Sequence, residues 1–210
     1  MNAVLRNFLR KKDNLDKELN EDETATYSYP SWWIEKVKNQ YTENWKDILT
    51  VGNQRPPLAL RINLKKNSFK EYCNILDEHK INYIPLGGEC LIINSPLGVN
   101  KIPGFLEGKV SVQDFGAQLA AHIIDLKKNQ RVLDACSAPG GKACHMLELN
   151  LIQLLAIESD KQRTIKIHEN IERLGLEAKI INEKLSQKND WWDKKLFDRI
   201  LLDVPCSASG

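Results

Sequence analysis

The sequence predicts an α/β fold in which a doubly wound parallel sheet occupies residues 111–210, after a helical linker and a small α+β module. Two observations lead to this prediction. From residue 113 onward, apolar runs of strand length alternate with amphipathic runs of helix length, as in parallel sheets with crossover helices. Within that region, residues 131–142 change from the pattern of a buried strand to a turn of proline and glycine, and then to a helix.

The composition is that of a chain with buried cores. Its 210 residues are 42% hydrophobic, which suffices for one large or two modest domains. No apolar run approaches the roughly 18 residues of a membrane helix, and the N-terminus has no signal-peptide pattern, so we predict a cytoplasmic protein. Thirty basic and 28 acidic residues leave a net charge of +2, so a nucleic-acid surface would need local clustering. The five cysteines lack metal-ligand spacing, which predicts reduced thiols and no metal site.

The first quarter of the chain is predicted to be helical. Residues 2–10 form one apolar helix face with basic side chains around it, whereas residues 13–26 are charged and read as a linker or a solvated helix. Amphipathic stretches follow at 31–41 and 42–49. The helical spacing of their aromatic residues favours core packing over the stacking of bases.

After Pro57 the hydrophobic period changes from that of a helix to that of a strand. Alternation over residues 58–64 predicts a strand, residues 68–79 a helix, and residues 81–84 and 91–93 two further strands. This pattern indicates a small α+β module. The sheet domain then follows with helices at 113–126, 142–149 and 161–174, and strands at 131–135, 154–157, 178–181 and 198–204.

The turn at residues 136–142 is the candidate ligand site. Pro139, Gly140 and Gly141 allow a ligand to lie against bare backbone amides beside a helix N-terminus. Glu158 follows the next strand, where nucleotide-binding units hold ribose hydroxyls. The G-x-G-x-x-G pattern of pyrophosphate binding is missing, so S-adenosylmethionine is the better prediction. A simple turn between two core elements is the alternative.

Two motifs of the chain resemble a known family. C-S-A-P-G-G-K at 136–142 and D-V-P-C-S-A-S-G at 203–210 are similar to the RNA (cytosine-5)-methyltransferases, specifically to the Sun/Fmu group that modifies small-subunit ribosomal RNA. Residues 2–10, 30–33, 53–63 and 112–114 resemble that group in the same order. The resemblance therefore extends over nearly the whole chain.

The resemblance implies a domain organisation and partners. Residues 1–12 would be the last helix of an N-terminal helical RNA-binding domain, 13–54 a helical linker, 55–110 an RNA-binding-type α+β module, and 111–210 an incomplete Rossmann-like methyltransferase core that stops after its fourth strand. It implies a chain shortened at both ends, a ribosomal RNA partner, no membrane or metal, and a monomer at full length. The candidates for phosphate contact are Arg55, Arg61, Lys65 and Lys66, although a solvated basic face explains them equally well.

The resemblance also implies the residues of the S-adenosylmethionine site: Cys136, Ser137, Ala138, Pro139, Gly140, Gly141, Lys142, Glu158, Glu183 and Asp203. Two positions depart from the family. Glu158 stands where aspartate is usual, which keeps the charge and adds a methylene. The family's Asp-Gly after the third strand is replaced, so Glu183 is the choice and Asn182 the alternate.

Catalysis requires a thiolate that adds to carbon 6 of cytosine, because carbon 5 is a poor nucleophile. From its position beyond a strand, Cys206 suits this role. The resemblance instead gives the attack to a cysteine in a T-C-S motif, which this chain lacks, and gives Cys206 a part in product release. Asp203 would contact the cytosine, and Lys142 would need a carboxylate partner because it opposes the helix dipole.

Two other classes of function remain open. The chain could be a non-catalytic RNA-binding remnant of such an enzyme. A nicotinamide-dependent oxidoreductase has only the analogy of fold behind it, because the fingerprint glycines are missing.

Overall fold

The structure is a computed structural model that describes residues 2–19, 21–94 and 97–205. The chain forms two compact units, one up to Pro56 and one from Pro57 onward. Each unit has its own buried core. None of the helices in the described ranges is long and apolar enough to cross a membrane.

The first unit is helical, as predicted. Its core consists of Ile34, Val37 and Leu49, against which partly buried aromatic rings pack, including Trp33 and Trp45. The interpretation of these aromatic residues as core is thus confirmed for Trp33 and Trp45, whereas Trp32 is 58% exposed. The helices are α1 (Asn2–Leu19), α2 (Glu23–Tyr27), α3 (Ser31–Gln40) and α4 (Trp45–Gly52).

Helix α1 continues through residue 12, so the domain boundary predicted there lies inside one helix. The predicted apolar face of this helix is present and exposed to solvent in the described residues, at Val4, Leu5, Phe8 and Leu9.

The second unit begins with the α+β module. Its antiparallel sheet has the strand order β2-β3-β1-β4. Helix α5 starts with a capping box, in which the Ser68 hydroxyl accepts from the Glu71 amide and the Glu71 carboxylate accepts from the Ser68 amide. The elements are β1 (Leu58–Ile62), α5 (Phe69–Glu78), β2 (Tyr83–Gly87), β3 (Cys90–Ile93), a 3-10 turn (Val99–Lys101) and β4 (Val110–Val112).

Two features of this module differ from the sequence prediction. Strand β1 does not alternate between buried and exposed side chains, because Ala59, Leu60, Arg61 and Ile62 are all buried. Strand β4 falls in a segment to which the sequence prediction assigned no element, and it pairs with β1 through Leu60 and Val112.

The sheet domain follows directly. Its four strands are all parallel, in the order β7-β6-β5-β8. The parallel, doubly wound sheet predicted from the alternation is confirmed. The elements are α6 (Phe115–Ile123), β5 (Arg131–Asp134), α7 (Gly141–Leu149), β6 (Gln153–Ile157), α8 (Lys161–Leu174), β7 (Lys179–Ile181), α9 (Lys188–Trp191) and β8 (Arg199–Leu201).

Both faces of this sheet are covered. Val132 and Leu154 pack into a core with residues of α6, α7 and α8, whereas Leu133 and Leu155 point to the other face, toward Trp191 and Phe197. The chain adds strands on one side of β5 and then returns to place β8 on its other side. The carboxyl ends of β5 and β8 thereby form a topological switch point, which is where open α/β sheets bind ligands.

Candidate active site

A cavity of about 170 Å³ opens at this switch point. Seven of the predicted cofactor residues line it, and residues of the α+β module and of α6 close its other side, namely Val112, Gln113 and Ala117. The seven are Cys136, Ser137, Ala138, Pro139, Gly141, Lys142 and Asp203. Gly140, Glu158 and Glu183 are not among the lining residues.

The turn at 136–142 is fixed by its own backbone. The Ser137 amide donates to the carbonyl of Ile157 in β6 at 3.0 Å, and the Gly140 amide donates to the carbonyl of Ser137 at 2.7 Å. The Ala138–Pro139 peptide is cis. These bonds attach the turn to the carboxyl ends of two neighbouring strands.

The two glycines of the turn differ in their surroundings. Gly140 has φ +97°, a conformation that favours glycine, and a Cβ there would lie 3.4 Å from Ile167 of α8. Gly140 therefore permits the turn and its packing on α8, and its role in binding the cofactor stays a prediction. At Gly141, by contrast, a Cβ would point toward Gln113, 3.8 Å away, on the wall of the cavity.

Lys142 and Asp203 form an ion pair across the mouth of the cavity, between Nζ and Oδ2. Lys142 lies in the first turn of α7, where a cation opposes the helix dipole, and the carboxylate partner expected for it is thus Asp203. The two side chains are 22% and 55% exposed. The pair joins the start of α7 to the segment after β8.

Asp134 also lines the cavity, at the carboxyl end of β5, where α/β sheets hold their ligands. It is 1% exposed, and neither of its carboxylate oxygens has a hydrogen-bond partner among the described residues. Burial raises the pKa of Asp134 to about 6, and the charge of Asp203 acts in the same direction.

Glu158 lies at the end of β6, away from the cavity wall. Its side chain is buried, and Oε1 accepts from the Asp160 amide at 3.0 Å while Oε2 is 3.8 Å from Arg163. The side-chain Nδ2 of Asn182 donates to the backbone carbonyl of Glu158 at 2.8 Å. Asn182 therefore supports the backbone beside Glu158, and no contact of Glu183 with the cavity is present.

Arg61 supports the site from the α+β module. Its guanidinium makes two bonds to the Glu148 carboxylate, at 2.8 and 3.0 Å, a third to the Gly141 carbonyl at 2.9 Å, and a fourth to Gln113. Arg61 is fully buried, so the prediction that it contacts RNA phosphate is wrong. It joins β1 to both ends of α7.

The other phosphate candidates keep their status as predictions. Lys65 donates to the Leu147 carbonyl at 2.6 Å and Lys66 to the Glu107 carbonyl at 2.8 Å, while Arg55 is exposed in the first unit. Cys206 lies outside the described residues, so its predicted catalytic role also stays a prediction.

Three of the described cysteines, Cys90, Cys136 and Cys144, are poor candidates for nucleophiles. Burial raises the pKa of Cys136, and the charges of Glu158 and Asp134 add to this effect. Burial raises the pKa of Cys144 to about 12 and also raises the pKa of Cys90. The thiolate is the attacking form, so these side chains are held in the unreactive state at neutral pH.

Fold and site together define a Rossmann-like methyltransferase class: a parallel sheet with a switch point, a proline-glycine turn in place of a pyrophosphate fingerprint, and carboxylates at the strand ends. Comparison with known sequences agrees. The family model described as 16S rRNA methyltransferase RsmB/F matches residues 121–210, and the model for the ferredoxin-like domain of RsmF/B-like methyltransferases matches residues 29–100.

Curated relatives match over the whole of this chain. The "Ribosomal RNA small subunit methyltransferase B" of Shewanella oneidensis is 42% identical over 212 residues, and the protein of the same name from Pseudomonas syringae pv. tomato is 40% identical over 214. The matches cover 49% and 48% of those proteins. The chain thus spans about half the length of the curated relatives it matches.

Solved structures share the fold. The crystal structure of PH0851 superposes with a TM-score of 0.81 at 28% identity, covering 89% of this chain and 43% of that one. A methyltransferase homolog from Pyrococcus horikoshii gives 0.77 at 24% identity, covering 90% and 63%. The chain belongs to the RsmB/F family of small-subunit ribosomal RNA methyltransferases, as the motifs at 136–142 and 203–210 predicted.

Proposed function

We propose that this chain contributes the S-adenosylmethionine site and part of the catalytic site of an enzyme that methylates carbon 5 of a cytosine in small-subunit ribosomal RNA. The observation that carries the proposal is the Lys142–Asp203 ion pair, which lies on the cavity at the switch point beside the turn at 136–142. The names of the curated relatives support ribosomal RNA as the substrate. Such an enzyme would act in the bacterial cytoplasm.

The residues around the cavity fit a cationic cofactor. Asp134 offers two buried carboxylate oxygens that have no hydrogen-bond partner within residues 97–205 or the other described ranges, a costly arrangement unless a ligand with positive charge or N–H groups satisfies them. When bound, S-adenosylmethionine supplies a methyl group on a positively charged sulfur. A related archaeal structure, NSun6 from Pyrococcus horikoshii, was solved with SFG, an analogue of this cofactor, and shares 18% identity with this chain at a TM-score of 0.73.

The cavity of about 170 Å³ is smaller than the roughly 300 Å³ at which ligand pockets begin. It would therefore hold only one part of the cofactor. The remainder would extend along the carboxyl edge of the sheet toward Glu158, whose buried carboxylate suits ribose hydroxyls.

Asp203 is the residue that would meet the base. A carboxylate there can accept from the exocyclic amine of cytosine and from a protonated N3, which makes carbon 6 more electrophilic. Lys142 would hold the Asp203 carboxylate in position through their ion pair. The thiolate that adds to carbon 6 would come from the family's T-C-S motif, and Cys206 would take part in release of the product.

The cofactor site can be tested with Gly141→Val. A branched side chain at this position would enter the cavity, so calorimetric titration with S-adenosylhomocysteine should show binding to the unchanged chain and none to the variant. The matched control is Gly98→Val, because a Cβ at Gly98 meets nothing within 4 Å. Equal affinity of all three proteins would remove the 136–142 turn from the site, and with it the proposed function.

A further inference from the structure

Glu89, His122 and His145 converge from three separate elements of the second unit. Glu89 lies in the turn between β2 and β3, His122 near the end of α6, and His145 in α7. Oε1 of Glu89 is 2.8 Å from Nε2 of His122 and 2.5 Å from Nε2 of His145. One possible ligand atom of each residue lies within 4.8 Å of the other two.

The cluster is closed on one side and open on the other. His145 is 1% exposed and Glu89 6%, whereas the side chain of His122 is 48% exposed. The two imidazole rings are nearly perpendicular, at 83°, with centroids 5.2 Å apart. None of the three residues lines the cavity of the candidate active site, so the cluster is a separate feature of the molecule.

Two imidazole nitrogens and one carboxylate oxygen form a ligand set that suits zinc and similar ions. We propose that Glu89, His122 and His145 bind a divalent transition-metal ion of the zinc type, with water as the remaining ligand on the open side next to His122. This would be a metal site where the sequence analysis expected none.

The present distances require a small rearrangement. Around a tetrahedral ion with bonds of about 2.0 to 2.2 Å, ligand atoms lie roughly 3.3 to 3.5 Å apart, so the two N···O distances must each widen by less than about 1 Å. The half-exposed ring of His122 can move away from Glu89 without disturbing the core. The distance between Glu89 and the buried His145 does not depend on His122, so a rotation of the Glu89 side chain would widen that distance.

The surroundings of the cluster also indicate how tightly it should bind a metal ion. A metal-bound histidine usually donates its second ring N–H to an acceptor, but Nδ1 of His145 is buried and has no partner among the described residues. Absence of such a partner costs about tenfold to hundredfold in metal affinity. We therefore expect a site weaker than a structural zinc site.

A bound ion at this position would affect the stability of the fold. Glu89 belongs to the α+β module, whereas His122 and His145 belong to helices that pack on the parallel sheet. A bound ion would add a cross-link between these two parts of the second unit. Saturating metal should accordingly raise the thermal unfolding midpoint of the chain.

The test uses the chain without an affinity tag, stripped with a chelator and dialysed. Calorimetric titration with Zn²⁺ should show one binding site. His122→Ala removes one of the three ligands, so it should lower the affinity for Zn²⁺ by at least about tenfold, which is the loss caused by removing only a hydrogen-bond partner of a ligand. His122 is the variant of choice because it is half-exposed and its replacement leaves the core in place, which circular dichroism would verify. His168→Ala removes an exposed histidine of α8 and is the matched control.

Two measurements decide between the possible outcomes. Co²⁺ in place of Zn²⁺ should give a spectrum without thiolate charge-transfer absorption, and the rise in unfolding midpoint with Zn²⁺ should be lost in His122→Ala but kept in His168→Ala. No binding by the unchanged chain would mean a hydrogen-bonded cluster only. Equal binding by His122→Ala, or a thiolate band, would place the ion elsewhere; each of these results overturns the proposal.

Discussion

Asp134 places an ionisable carboxyl group at the buried carboxyl end of β5. Its pKa of about 6 in the folded chain lies above the ordinary value of 3.8 for an aspartate, so between these pH values the folded chain binds more protons than the unfolded chain. The contribution of Asp134 to the free energy of unfolding therefore falls as pH rises through that window, and remains low above it.

Asp134→Asn should remove this fall in the free energy of unfolding with rising pH. We expect the free energy of unfolding near neutral pH to rise by up to about 3 kcal/mol, the equivalent of two pKa units, with little change near pH 4. Urea unfolding at the two pH values measures the difference. Asp16→Asn, at an exposed position on α1, is the control and should leave the pH dependence of the free energy of unfolding unchanged. If Asp134→Asn also has the same pH dependence as the unchanged chain, the carboxyl group of Asp134 does not cause the loss of stability.

The same substitution should weaken the cofactor site. An amide in place of the carboxylate loses the negative charge that a cationic ligand would meet, so affinity for S-adenosylmethionine should fall while stability rises. Calorimetry on the folded variant tests this. Unchanged affinity would mean that the unpaired oxygens of Asp134 face protein or water in the bound state as well.

At the scale of elements, the contact between β1 and α7 depends on one buried ion pair. Arg61→Met leaves Glu148 buried without its partner, a change that costs about 3 to 5 kcal/mol. Chemical unfolding of the variant measures this loss. Lys65→Met, which removes an exposed lysine bonded to a carbonyl of the same helix, should cost about 1 kcal/mol and serves as the control.

The double variant Arg61→Met with Glu148→Leu identifies the origin of that loss. Replacing both charged groups by apolar ones avoids the unpaired carboxylate and should recover much of the stability. If the double variant is as unstable as the sum of the single changes, the bonds of Arg61 to Gly141 and Gln113 are the larger contribution.

The elements that sequence predicted best are those with a long and regular pattern. The bounds of α8 agree with the prediction, and the strands of the parallel sheet were found within one to three residues at each end, because their apolar runs are bounded by turn residues. Strand β4 was missed because its run V-S-V has no two consecutive apolar residues, whereas β7 and β8 contain such pairs. The burial of Arg61 could not be predicted, since its partner Glu148 is 87 positions away and the local pattern gave no sign of it.

The motif of the candidate site could be predicted from the sequence, whereas most of the residues that surround it could not. The turn at 136–142 and Asp203 carry recognisable residue types, and Lys142 implied a carboxylate partner through the helix dipole. Gln113 and Ala117 carry no such signature, because their place at the cavity results from packing between distant segments. The same reason hid the cluster of Glu89, His122 and His145.

At the scale of the whole molecule, the chain is expected to lack methyl-transfer activity. Its 210 residues contain no T-C-S motif, and the described cysteines with a resolved pKa shift are all held toward the neutral thiol. Incubation with labelled S-adenosylmethionine and unmodified ribosomal RNA tests this. Label in cytosine above the level without enzyme would mean that Cys206 attacks carbon 6 itself.

Arg61 lies on β1 of the α+β module, and its guanidinium donates to the Gly141 carbonyl in the 136–142 turn, so one side chain connects the two. A ligand on the module that shifts β1 would change the position of the Gly141 carbonyl, and a ligand at the turn would act on β1 through the same guanidinium. Because coupling between two binding equilibria is reciprocal, RNA and cofactor would then alter each other's affinity by an identical factor. Order of addition would leave that factor unchanged, so binding either ligand first would lead to the same ternary complex with the same total free energy.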